Sequence, residues 1–112
     1  MNAMNIDLTP PIAAFFQAFN AHDVDALVAL FAGDALVADE GQEHRGTAAI
    51  KGWIQKVYAE YVPHAEVTDR ANADNEIVVS AQVSGTFPGS PIQIRYHFKL
   101  KDDKIIALVN GD

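Results

Sequence analysis

The spacing of apolar residues changes from a mainly helical to a strand pattern at Pro63, and that change limits the folds that the chain can form. Before Pro63 the apolar residues recur every three or four positions, which is the period of a helix that packs one face on a core. After Pro63 they alternate with polar residues, which is the period of a strand with one buried and one solvated face. Helices followed by strands predict an α+β fold.

Two long helices are predicted before Pro63. The first begins after Thr9, because Thr9 can cap it and Pro10 suits the first helical position, which needs no backbone N–H. Its apolar stripe consists of Ile12, Phe15, Phe16 and Phe19. The other long helix is predicted to be capped by Thr47 and ended by Pro63, which disfavours helical geometry in the residue before it. Its stripe consists of Ile50, Trp53, Ile54, Val57, Tyr58 and Tyr61.

A short helix and a short strand are predicted between these two. The apolar face of the short helix comprises Val24, Leu27, Val28 and Phe31. Gly33 is expected to end that helix. The strand is predicted over residues 35–39, where side-chain alternation places Val37 and Asp39 on one face. Residues 40–46 are polar and are predicted to form a loop.

Four antiparallel strands are predicted after Pro63, separated by turn residues at 74–75, 88–91 and 102–103. The clearest strand has an apolar face made of Ile92, Ile94, Tyr96, Phe98 and Leu100. Its opposite face consists of Gln93, Arg95, His97, Lys99 and Lys101. The complete order predicts one domain over residues 1–112.

The charge of the chain argues against several classes of partner. Fifteen acidic and eight basic residues give a formal charge of −7, which repels phosphate backbones and anionic lipid surfaces. We therefore expect no nucleic acid and no membrane among its partners. A cytoplasmic location is predicted, because the sequence shows neither a secretion signal nor a run of the ~20 apolar residues that cross a bilayer.

Signatures of several enzyme classes are missing from the sequence. Serine-nucleophile, phosphate-loop and dinucleotide-binding patterns are absent. The chain has no cysteine, and its four histidines lack the spacing of metal ligands. We therefore expect neither a metal nor a cofactor.

Two segments of the chain resemble a known superfamily. Residues 19–35 read FNAHDVDALVALFAGDA, and residues 46–50 read GTAAI. Both are similar to the nuclear transport factor 2-like superfamily, and more narrowly to its SnoaL-like polyketide cyclase and ketosteroid isomerase-like branch. The resemblance implies three N-terminal helices packed on a curved, mainly antiparallel sheet that forms a cone-shaped pocket, as in cystatin-like folds.

The resemblance places Asp39 where ketosteroid isomerases keep the aspartate that moves a proton between two carbons. Strand alternation independently puts Asp39 on the same face as Val37, beside apolar walls whose low polarity makes a carboxylate a better proton acceptor. The isomerase tyrosine that donates to the oxyanion falls at Phe15, and the tyrosine that supports it falls at Ile54. Classical steroid isomerase activity is therefore not expected.

Tyr96 is the second candidate catalytic residue. The remaining acid of the isomerase oxyanion hole falls at Tyr96 or His97, and the phenol of Tyr96 could donate to a carbonyl or enolate oxygen of a ligand. The alternative interpretations are that Asp39 caps the following loop and that Tyr96 is a core tyrosine. The residues predicted to contact a substrate are Phe15, Phe19, Val37, Trp53, Val57, Phe98 and Asp112.

Two functions agree with these features. One is a cofactor-independent isomerase, cyclase or lyase in which Asp39 removes a proton next to a carbonyl and Tyr96 stabilises the enolate. The other is a non-catalytic ligand-binding or dimerisation module of the same fold. An epoxide hydrolase is less favoured. The epoxide hydrolases that resemble this fold use an Asp-Arg-Asp arrangement, whereas strand alternation places Arg95 on the outer face of the sheet. The expected partners are a small apolar or carbonyl-containing molecule and a second copy of the chain, bound through the polar outer face of the sheet.

Overall fold

The computed structural model describes residues 8–111. The helices are α1 (Pro10–Ala21), α2 (Val24–Val28) and α3 (Thr47–Tyr61). The strands are β1 (Phe31–Asp39), β2 (Gln42–Arg45), β3 (His64–Ala73), β4 (Glu76–Ser84), β5 (Ile92–Lys101) and β6 (Lys104–Gly111). The helices pack on a curved, open sheet of six strands, which confirms the predicted α+β architecture.

The strands are ordered β2-β1-β6-β5-β4-β3 across the sheet. Every neighbouring pair is antiparallel except β1 and β6, which run parallel with Val37 beside Leu108 and Ala38 beside Val109. Strand β6 therefore lies between the early strand β1 and the meander that precedes β6 in the chain. This arrangement brings the carboxyl end of β1 close to β5.

An aromatic cluster fills the space between α1 and the sheet. The ring of Phe15 is fully buried, and its centroid lies between 5.1 and 6.2 Å from those of Phe16, Phe19, Phe31, Tyr96 and Phe98. Burial of one such side chain contributes about 1.5–3 kcal/mol. The largest fully buried side chains of the core are Phe15, Phe98, Ile12, Leu27, Ile50, Ile54, Ile105, Leu108, Val37 and Val79.

The end of α1 is tied to the start of β3 by polar contacts. Both ends of the Asn20 amide bond the backbone of Ala65, with Nδ2 donating to its carbonyl at 2.9 Å and Oδ1 accepting from its N–H at 2.7 Å. His22 takes a left-handed conformation, stacks on Tyr58 and places Nε2 at 2.9 Å from the carbonyl oxygen of Pro63. The polar residues of the FNAH segment thus fix the angle between α1 and the sheet.

The ends of the long helices differ slightly from the prediction. The side chain of Thr9 makes no capping hydrogen bond to α1, although α1 begins directly after it. Helix α3 begins at Thr47 itself and has Gly46 as its N-cap, one residue earlier than predicted. Val62 leaves helical geometry before Pro63, with φ 44° and ψ 59°, which confirms the predicted end of α3. Among residues 8–111, no helix is both long and apolar enough to span a bilayer.

The predicted second helix was too long. Helix α2 stops at Val28, and Phe31 begins β1 instead of completing the helical face. The cause is a tertiary contact, because the N–H of Ile105 on β6 donates to the carbonyl of Leu30 at 2.9 Å and holds the chain extended from there. Gly33 consequently lies inside β1.

The polar segment 40–46, predicted as a loop, contains strand β2. Asp39 pairs with Gln42, and the two residues between them form a tight hairpin turn with φ of 53° at Glu40 and 76° at Gly41. Strand β2 carries no apolar side chain that would produce an alternating pattern. The hairpin places Glu40 beside the end of β1.

Candidate functional site

A cavity of about 280 Å³ lies between the helices and the inner face of the sheet. Its volume is about twice the ~150 Å³ of a cavity that accommodates benzene, so it suits a ligand of one or two rings. Its lining residues are Phe19, Asp39, Glu40, Trp53, Val57, Tyr61, Pro63, Val83, Phe87, Pro88, Ile92, Ile94, Tyr96 and Asn110. Most of them are apolar, which makes the few polar groups informative.

Asp39 ends β1 and directs its carboxylate to this cavity. Its Oδ2 atom accepts a hydrogen bond of 2.9 Å from the indole N–H of Trp53 on α3. The Oδ1 atom forms no hydrogen bond with any other residue between positions 8 and 111. One oxygen of the carboxylate is therefore held, while the other is available to a molecule in the cavity.

Three polar side chains form a row across three neighbouring strands. Tyr96 on β5 is paired with Asn110 on β6. The parallel register of β1 and β6 pairs Ala38 with Val109, so Asp39 and Asn110 are the next residues of those two strands. Adjacent strands lie about 4.8 Å apart, and all three side chains line the cavity. We call Asp39, Asn110 and Tyr96 the polar row.

Tyr96 forms the far end of the polar row and is 2% exposed. Its burial raises the pKa of the phenol above its usual value, and the negative charge of Asp39 raises it further. The hydroxyl therefore stays protonated at neutral pH, and within residues 8–111 it makes no hydrogen bond. His97 lies on the opposite face, with Nδ1 at 2.8 Å from Oε1 of Glu76. Tyr96, not His97, faces the cavity.

Asn110 occupies the centre of the polar row. Its Oδ1 atom is buried and lacks a hydrogen-bond partner among the described residues. Buried carbonyl oxygens are almost always paired in proteins, because an unpaired one loses its hydration without replacement. Asn110 was not among the predicted site residues, although its alternation with Leu108 already placed both on one face of the last strand.

The mouth of the cavity is formed where the β4–β5 connection meets the end of α3. The Tyr61 hydroxyl donates to Oε2 of Glu40 over 3.3 Å, and the ring of Phe87 meets that of Tyr61 edge-on at 5.8 Å. Gly85 allows this contact, since a Cβ there would collide with the carbonyl oxygen of Tyr61. That carbonyl accepts from the N–H of Thr86 at 2.8 Å.

The structure separates the predicted contact residues into two groups. Phe19, Trp53 and Val57 line the cavity together with Asp39 and Tyr96. Phe15, Val37 and Phe98 do not, because the cavity occupies only the end of the sheet and these three are fully buried in the core beside it. Asp112 lies outside the described residues. The described part also contains no cluster of three His, Asp or Glu side chains that could hold a metal ion.

The SnoaL-like domain model matches residues 12–108, which is most of the chain. The chain belongs to the SnoaL-like domain family. The predicted resemblance is thereby confirmed, and the match includes Asp39 and Tyr96 but stops before Asn110. No curated protein matches this SnoaL-like domain significantly.

Solved structures agree with the family assignment. A protein from Sinorhizobium meliloti, provisionally named a polyketide cyclase, is 37% identical, with 94% of this chain and 96% of that chain covered at a TM-score of 0.90. A Catenulispora acidiphila protein of ketosteroid isomerase-like fold, in complex with trimethylamine, is 22% identical, with 94% and 87% covered and a TM-score of 0.80. A cystatin-fold protein from Novosphingobium aromaticivorans is 21% identical, with 92% and 96% covered and a TM-score of 0.76. The last two show that this SnoaL-like domain shares their fold.

Proposed function

We propose that this SnoaL-like domain is a cofactor-independent isomerase, cyclase or lyase that moves a proton next to a carbonyl group of a small, mainly apolar molecule. Asp39 is the general base, and Tyr96 donates to the enolate oxygen. The observation that carries this proposal is the polar row, which places an ionisable carboxylate and a protonated phenol on one wall of an apolar cavity.

The hydrogen bond between Trp53 and Asp39 supports the role of the base. It holds Oδ2 and leaves Oδ1 to accept a proton from the carbon next to the carbonyl. As the C–H bond breaks, its electron pair moves toward the carbonyl oxygen and forms the enolate. The protonated Asp39 can then return the proton to a second carbon, which gives isomerisation. A carboxylate that is already oriented loses little entropy when the reaction begins.

The state of Tyr96 supports the role of the donor. Its phenol remains protonated and is free to donate to negative charge that develops on a substrate oxygen. Asp39 and Tyr96 are two strands apart, so their Cα atoms are separated by about 10 Å. This separation leaves room for a carbonyl group and the carbon beside it between the two side chains.

The cavity supports a substrate smaller than a steroid. A volume of about 280 Å³ suits one or two rings. Phe15 and Ile54, at the positions of the isomerase tyrosines, are fully buried and contribute no hydroxyl. The provisional polyketide cyclase name of the Sinorhizobium meliloti relative agrees with a substrate rich in carbonyl groups.

Exchange of α-protons with deuterated solvent tests the proposal without knowledge of the natural substrate. NMR would follow this exchange in 2-tetralone and 1-indanone. Asp39→Asn should reduce the catalysed rate about 100-fold or more, the usual contribution of a general base. The new amide oxygen can still accept from Trp53, so the pocket should keep its shape. Asp34→Asn, the same change at an exposed position of β1, should leave the rate unchanged.

The proposal would be wrong if the wild-type chain exchanged these protons no faster than buffer, or if Asp39→Asn had no effect. A non-catalytic ligand-binding module is the alternative, and one observation favours it. The bond from Trp53 gives Asp39 a structural role that needs no chemistry. Under that alternative, Asp39→Asn would bind small ketones as the wild type does and neither protein would exchange their protons.

A further inference from the structure

We infer that Asn110 determines substrate specificity, and that the substrate is a hydroxyketone whose hydroxyl group donates to Oδ1 of Asn110. This inference rests on the proposed function for the reacting carbonyl, and it goes further by naming the chemical class of the substrate. A hydroxyl group on the α-carbon or the β-carbon of the ketone would lie close enough to donate to Asn110.

The unpaired oxygen of Asn110 is the first step of the argument. Asn110 lines the cavity, and its Oδ1 is buried and has no partner among residues 8–111. Leu108 points from the same strand to the same face and packs in the core, so an apolar residue is compatible with that side of β6. An amide carbonyl can only accept at this atom. A hydroxyl group on a molecule in the cavity would supply the missing donor.

The position of Asn110 is the second step. It lies between Asp39 and Tyr96 in the polar row, about 4.8 Å from the neighbouring strand on each side. A ligand with its carbonyl oxygen at Tyr96 and its acidic carbon at Asp39 has the adjoining part of its skeleton over Asn110. The donor must therefore lie near the carbonyl.

The charge of the site is the third step and selects the kind of donor. A cationic amine in the cavity would pair with the Asp39 carboxylate and occupy the oxygen that takes the proton. A second carboxylic acid would be repelled by Asp39 after ionisation. A neutral hydroxyl can donate to Asn110 and leave Asp39 available.

A matched pair of ligands tests the inference by binding alone. α-Hydroxyacetophenone and propiophenone have the same skeleton and differ only in a hydroxyl group that replaces a methyl group. NMR titration would give the Kd of each for the wild type, for Asn110→Leu and for Asn72→Leu. Asn72 undergoes the same change on β3, at an exposed position outside this cavity.

Asn110→Leu should weaken the binding of α-hydroxyacetophenone about 10-fold, the upper range for one hydrogen bond, and leave that of propiophenone unchanged or tighter. Asn72→Leu should alter neither. If Asn110→Leu does not fold, the side-chain amide resonances of Asn110 in the wild type replace it. They should shift more with α-hydroxyacetophenone than with propiophenone, because only the first ligand forms a hydrogen bond with this amide.

The inference is overturned if Asn110→Leu changes both affinities equally or changes neither, or if neither ketone binds the wild type. Its failure can be told apart from failure of the proposed function. Proton exchange that depends on Asp39 without any preference for the hydroxyketone removes only the inference. If the chain prefers the hydroxyketone in an Asn110-dependent way but exchanges the α-protons of no ketone, the catalytic proposal is wrong and the inference on binding stands.

Discussion

The indole N–H of Trp53 donates to Oδ2 of Asp39 over 2.9 Å and joins α3 to the end of β1. Trp53 is 7% exposed and Asp39 is partly buried, so the bond is partly shielded from solvent. It does two things at once, because it anchors the helix to the sheet and selects which carboxylate oxygen faces the cavity.

Trp53→Phe should lower the free energy of unfolding by about 2 kcal/mol, since it removes a hydrogen bond to a charged acceptor from a partly buried site. Urea unfolding measures this change. A double-mutant cycle with Asp39→Ala separates the bond from the packing of the ring, and should show a coupling of about 1–2 kcal/mol. Strictly additive effects would mean that the bond does not stabilise the fold.

Phe15→Tyr should not create steroid isomerase activity. The new hydroxyl would lie in the aromatic cluster, away from the cavity wall and without a partner, and it should lower stability by about 2 kcal/mol. Phe87→Tyr is the control, because the same change at the partly exposed mouth should be nearly neutral. Strong isomerisation of a steroid by Phe15→Tyr would contradict this prediction.

Stability should fall as the pH rises above about 10, the pKa of tyrosine in an unfolded chain. Burial raises the pKa of Tyr96 and of Tyr58 in the folded state, with further increases from Asp39 and Asp23 respectively. Above pH ~10 the unfolded chain therefore binds fewer protons than the folded one, and below it these groups have no effect. For Tyr96 the loss is at most about 1.4 kcal/mol per pH unit.

Urea unfolding on either side of that pH checks this prediction. Tyr96→Phe should make the alkaline loss of stability shallower, because it removes the most deeply buried of the phenols whose pKa is raised in the folded chain. An unchanged slope in Tyr96→Phe would show that the phenol of Tyr96 ionises as readily in the folded chain as in the unfolded one.

We propose that two copies of the chain associate through the outer face of the sheet. Val109 is 44% exposed on that face, between Ala38 on β1 and His97 on β5. Val109→Arg would place a long charged side chain in the middle of such an interface and should convert a dimer to a monomer, as measured by light scattering. Val62→Arg, at an exposed valine beyond the sheet, should not. A monomeric wild type at micromolar concentration would remove the proposal.

The elements that the sequence predicted well are those whose own side chains show a period. The alternation from Ile92 to Leu100 marks β5, and the stripe from Ile50 to Tyr61 marks α3. Strand β2 has no apolar residue and is held only by the hairpin that follows Asp39, so periodicity could not reveal it. Phe31 fitted a helical face by spacing, but its pairing with β6 made it part of a strand.

The site was predictable only in part for a related reason. Family resemblance and strand alternation indicated Asp39 and Tyr96. The face on which each side chain lies can be predicted from the alternation within its own strand. The hydrogen-bond partner of Asp39 could not be predicted in this way. The helical stripe shows that Trp53 faces inward, but it does not show which acceptor the indole N–H bonds. The central position of Asn110 depends on the parallel register of β1 and β6, which no local spacing determines.

That parallel pair has a consequence for the order in which the chain folds. On the ribosome, β1 and its hairpin emerge long before β6, so the edge of β1 that β6 will cover stays open during most of synthesis. Contacts between distant parts of a chain also form slowly, because the entropy cost of closing a long loop comes before the contacts can stabilise the chain. We therefore expect a nascent chain with its helices already formed to lack the cavity until β6 inserts and places Asn110 between Asp39 and Tyr96.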